Sequence, residues 1–148
     1  RGALSGSDLL PYMVFQIIGA TLGALLGNVI AGGSVPIAPA PDTPLLSAIL
    51  VEFLFTFALA LTVLNVATAQ GTEGNSFYGL AIGFTVMCGA FAGGGISGGA
   101  FNPAVGIALS VGALLSGTGG GWILLYILVP LAGGALAALV FKLQGNDV

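Results

Sequence analysis

Residues 102–104 read Asn-Pro-Ala, between a glycine-rich run at 93–99 and an apolar stretch at 105–115. Asparagine is a strong N-cap, and proline suits the first helical position, where its missing N–H costs nothing. The tripeptide therefore predicts a helix start. The helix behind it is too short to cross a bilayer, which takes ~20 residues. Four longer apolar stretches share the chain with it, at 11–31, 45–68, 77–93 and 122–143. A short helix among four spans is expected to be re-entrant, with its positive end inside the membrane. Such an arrangement suits the passage of polar molecules.

The chain's 148 residues are 57% hydrophobic and 5% charged, where a soluble domain carries ~25% charged residues. An integral membrane protein in a lipid bilayer is the implied class. The two basic residues cannot neutralise a phosphate track, so nucleic acid is excluded as a partner. One cysteine and no histidine remove disulfide frameworks, the common metal sites and His-based acid–base chemistry. No cofactor, metal or enzymatic reaction is expected. The 26 glycines match a protein whose membrane helices approach closely. The chain begins at Arg1 with no signal peptide before the first span, and a fragment of a longer protein is expected.

The third span is the shortest and is expected to continue into the glycine-rich run. Residues 32–44, with four prolines and Asp42, predict an irregular connection; 69–76 a polar turn; 116–121 a flexible joint. Arg1 before the first span and Lys142 at the end of the last place both ends in the cytoplasm by the positive-inside rule. That agrees with four crossings and a half-helix rather than five crossings. A faint internal repeat is also present. Tyr12, Gln16, Gly19 and Ala20 match Tyr126, Pro130, Gly133 and Gly134 at identical spacing. It points to an inverted pair of halves, the first span being the tail of a half that begins upstream.

With these residues in view, the chain resembles the major intrinsic protein family, the aquaporins and aquaglyceroporins. Residues 97–104 (Ser-Gly-Gly-Ala-Phe-Asn-Pro-Ala) look like the family's second Asn-Pro-Ala loop, and 79–86 like the helix before it. Glu52 with Thr56 and Phe57 is similar to the fourth helix, and 126–138 to the sixth. Arg1-Gly2, Leu4-Ser5 and 12–20 look like the start of the third. The resemblance implies an all-α, inverted-repeat helical bundle in a single domain over 1–148. Within it, 1–31 would be the third helix of the first repeat and 45–148 the second repeat. Four transmembrane helices and one half-helix would be present, with the first two helices and the first Asn-Pro-Ala absent. The implied activity is a passive channel for water and small neutral solutes, assembling as a homotetramer when complete.

The resemblance also implies residue roles. Asn102 would donate its side-chain N–H to a passing oxygen, while the half-helix dipole, roughly +0.5 charge at that end, repels cations. Pro103 and Ala104 would support the site's shape. Ala90, twelve residues before Asn102, and Gly99, three before it, fall on selectivity-ring positions. Val105 stands where most members have arginine, which removes a fixed charge and several donors. A ring with Ala90, Gly99 and Val105 implies a wide, weakly polar mouth, passing solutes such as glycerol, urea or ammonia as well as water.

Glu52 is the ionisable residue deep in a span, and such groups are expensive and usually functional. The resemblance implies a carboxylate that accepts backbone N–H bonds from the half-helix loop. A proton relay is the competing reading, and it lacks partners, since no histidine, lysine or second acid lies deep inside a span. Gly19, Gly23 and Gly27 predict a packing ridge, Gln16 a hydrogen bond to a neighbouring helix or loop, and Cys88 a packed small residue. Trp122 reads as an interfacial anchor. Two other functions compete with a channel. A membrane fragment with only a structural or assembly role is one. An ion-coupled transporter is the other, disfavoured by a lone carboxylate without a cationic partner.

Overall fold

In a computed structural model of the protein, residues 4–34 and 36–145 are described. They form five α-helices and one short 3-10 turn, with no strand among the described residues: α1 Gly6–Ala31, α2 Leu45–Ala67, α3 Tyr78–Ser97, α4 Pro103–Leu115 and α5 Ile123–Leu143, the 3-10 turn being Gln70–Thr72. Arg1 and Gly2, invoked for orientation and for the family resemblance, lie outside the described residues.

Helices α1, α2, α3 and α5 have 26, 23, 20 and 21 residues and are long and apolar enough to cross a membrane. The 13-residue α4 is about 20 Å long at 1.5 Å per residue, well short of the hydrocarbon core. Helix α3 does run on through the glycine-rich stretch, to Ser97. Helix α1 begins five residues before the expected span. Ser5 caps it, accepting from the Asp8 N–H at 3.3 Å, and Pro11 sits inside it, forfeiting one helix bond. The outward faces carry large apolar side chains, Phe91 being 86% exposed. An apolar exterior of this extent calls for lipid or other protein against it.

Helix α2 packs against both α3 and α5, and α4 is held between α1 and α5; α4 is the one helix that α1 packs against among the described elements. Glycine permits the closest of these approaches. A Cβ on Gly133 would lie 2.6 Å from the Phe53 carbonyl of α2, and one on Gly106 would run into the Tyr126 Cβ. The Gly19, Gly23 and Gly27 ridge differs from expectation, because nothing lies within 4 Å of a Cβ placed at any of the three. Cys88 likewise is exposed rather than packed. Gln16 is exposed too, with no hydrogen bond to another helix among the described residues. Trp122 stands at the N-terminal boundary of α5, exposed.

Candidate functional site: the bend before the half-helix

Between α3 and α4 the chain turns sharply through residues 98–102. Gly98 and Gly99 take left-handed φ values of 91° and 72°, and Phe101, a non-glycine residue, takes 48°. A bulky side chain in that region is strained, so surrounding contacts must hold it. The Phe101 ring is buried against Phe55 of α2, with centroids 5.3 Å apart. Gly89 leaves room for it: a Cβ there would lie 2.9 Å from the ring.

Glu52 holds the bend's backbone. It is 0% exposed, and both oxygens are used. Oε1 accepts from the Ser97 hydroxyl at 2.7 Å and the Ala100 N–H at 3.0 Å; Oε2 accepts from the Phe101 N–H at 2.8 Å. The Ser97 oxygen in turn accepts from the Gly99 N–H at 3.1 Å. Three donors on one buried carboxylate offset the cost of removing it from water.

The carbonyl side of the bend has its own partners. Tyr126 of α5, also 0% exposed, donates its hydroxyl to the Ser97 carbonyl at 2.5 Å. The Ala40 N–H, from the proline-rich connection between α1 and α2, donates to the Ile96 carbonyl at 3.0 Å. That connection is anchored by Ile37, only 4% exposed, which clusters with Ala100 and Tyr126. A Cβ on Gly98 would meet Ile37, the Ala38 carbonyl and the Tyr126 hydroxyl at 2.9, 3.0 and 3.2 Å. The connection and α5 therefore both converge on that residue.

Asn102 ends the bend and caps α4. Its Oδ1 accepts from the Ala104 N–H at 2.9 Å, and Pro103 occupies the first turn. With the oxygen so used, the amide nitrogen of Asn102, an exposed residue, retains both its donors. Asn102 borders an open cavity of about 380 Å³ with Thr56, Leu59, Pro103, Pro130 and Gly134. A neutral donor at the positive end of a helix, facing such a space, can bind an oxygen and disfavours a cation.

Glu52, Gly99, Asn102, Pro103, Ala104 and Val105 thus belong to one continuous arrangement. Val105, in the first turn of α4, is half-buried and packs against the Ile37–Ala100–Tyr126 cluster. Ala90 is exposed on α3, one turn before Gly94, whose Cα would lie 3.2 Å from a Cβ on Gly99. Ser97, Tyr126 and Ile37 escape the sequence reading as site residues. The available signal for Ile37 is that it is the one large apolar side chain between Pro36 and Pro44. For Tyr126 it is membership of the internal repeat.

Comparison with known proteins gives a consistent result. The family model described as Major intrinsic protein matches residues 2–141. Aquaporin TIP2-1 of Zea mays is 37% identical over 133 residues, which are 88% of this chain and 51% of the relative. Aquaporin AqpM of Methanothermobacter marburgensis is 29% identical, over 93% of this chain and 59% of its own length. The probable aquaporin AqpM of Archaeoglobus fulgidus is 33% identical, over 96% and 61%. The chain spans about half to three-fifths of the length of these relatives.

Proposed function

The chain belongs to the major intrinsic protein family, and from that premise we propose that it forms part of a passive transmembrane channel for water and small uncharged solutes. The carrying observation is the Asn102 side chain. Its oxygen is committed to capping α4, so its amide donors are directed by the fold rather than by chance. An integral, multi-pass membrane location follows from the family and the four apolar helices.

In this reading Asn102 donates to the solute's oxygen while the half-helix dipole opposes cations. Ala90, Gly99 and Val105 form three positions of the selectivity ring, and Pro103, Ala104 and Glu52 support the site. Residues 1–31 would close a first repeat and 45–148 form the second, with both ends in the cytoplasm and a homotetramer as the assembly. Ring side chains this small and apolar favour solutes wider than water.

The test is stopped-flow measurement on vesicles holding the natural-length protein that carries this sequence. Water flux should rise above that of empty vesicles, together with glycerol, urea or ammonia flux. Val105→Arg should shift the ratio toward water. Water passage with glycerol, urea and ammonia all excluded would overturn the wide-mouth reading. Absence of water passage would overturn the channel.

A further inference from the structure

We infer that Tyr126 and the proline-rich connection at 36–40 are positioning elements for permeation, acting as the carbonyl-side counterpart of Glu52. The inference rests on the channel reading above. Its basis is the fate of two helix bonds. Had α3 continued, the Ala100 N–H would bond to the Ile96 carbonyl and the Phe101 N–H to the Ser97 carbonyl, each four residues back. Both N–H groups instead go to Glu52. Two carbonyls are thereby left without their helical donors at a depth where water is scarce, and each needs a substitute. Ala40 N–H serves Ile96, and the Tyr126 hydroxyl serves Ser97.

Glu52 alone cannot hold the bend open. If either carbonyl lost its substitute, it would compete with Glu52 for the Ala100 or Phe101 N–H. That would wind 97–101 back toward helix and swing Asn102 away from its cap position. Tyr126 also lies against Gly106, so one side chain grips both the approach to Asn102 and the helix behind it. Ile37 has the matching task for the connection. Its burial beside Tyr126 and Ala100 seats Ala40 against Ile96 and shields the Tyr126–Ser97 bond from water.

The test uses Tyr126→Phe, which keeps the ring and removes only the hydroxyl, and Ile37→Ala, which loosens the connection. Both are measured in the natural-length protein, as the urea-to-water permeability ratio per folded molecule and as amide hydrogen exchange at 98–101. Each variant should speed exchange at the bend by roughly three- to tenfold and change the ratio. The double variant should fall short of the sum, since both changes act on one bend. A merely structural role would lower urea and water flux together, in proportion to folded yield, and leave the ratio untouched. Tyr126→Phe with unaltered exchange and an unaltered ratio would overturn the inference. Unprotected amides at 98–101 in the parent protein would overturn it as well. A parent protein that passes no water would overturn the channel reading instead, and the exchange comparison would still decide the positioning role.

Discussion

Replacing Glu52 by leucine removes the acceptor for three donors while keeping a side chain of similar bulk. The Ser97 hydroxyl has a second acceptor in reach, the Gly93 carbonyl at 3.4 Å. The Ala100 and Phe101 N–H groups have none, apart from closing the helix. A buried donor left unpaired costs about 1–3 kcal/mol, so the pair contributes about 2–6 kcal/mol if the bend keeps its shape. The Phe101 φ of 48°, strained by about 1–3 kcal/mol in the parent, then loses the N–H bond that holds it and is free to relax. The molecule should escape part of this by winding α3 one turn further, at the expense of the bend. Glu52→Gln retains one acceptor oxygen but turns an NH₂ toward the other N–H, so about half the penalty remains. Thermal unfolding in detergent, folded yield and exchange at Ala100 and Phe101 read the effect. The order of stability should be parent, then Gln, then Leu, and water flux per folded molecule should follow it. A leucine variant with the parent's unfolding midpoint, yield and exchange would refute the reasoning.

Gly106→Ala should destabilise by about 1–3 kcal/mol, because the new methyl meets the Tyr126 Cβ and carbonyl rather than a yielding side-chain tip; an unchanged unfolding midpoint would contradict this. Asn102→Asp keeps a cap of equal quality but removes the amide donors, so helicity by circular dichroism should hold while water flux falls several-fold. Equal flux in the aspartate variant would separate Asn102 from solute binding and leave it a cap alone.

Much of the frame is legible along the chain because its signals are local. Hydropathy marks the four spans, and Asn102-Pro103 marks the half-helix to the residue, since cap and first-turn preferences act within a few positions. Glu52 stands out because a carboxylate in a span demands an explanation. Tyr126 and Ile37 carry no such demand: a tyrosine in an apolar helix and an isoleucine in a loop are ordinary until the fold sets them beside Ser97 and Gly98. Their partners lie far off in sequence, where no periodicity reaches. The glycine ridge of α1 misleads for the opposite reason. Spacing shows that a helix can approach closely, and only tertiary structure decides whether one does.

Helix α1 is made before every other helix described, yet the one it packs against, α4, is the last but one to be made. For most of synthesis α1 must therefore sit in the bilayer without its described neighbour, its small-residue stripe facing lipid or other protein. Contacts between segments so far apart in the chain form late, and a segment waiting for its mate is open to wrong pairings. Insertion of α4 then gives α1 its one packing partner among the described helices. A change that delays α4, such as a weaker cap at Asn102, should raise the fraction of chains lost to misassembly even where the finished molecule would tolerate it.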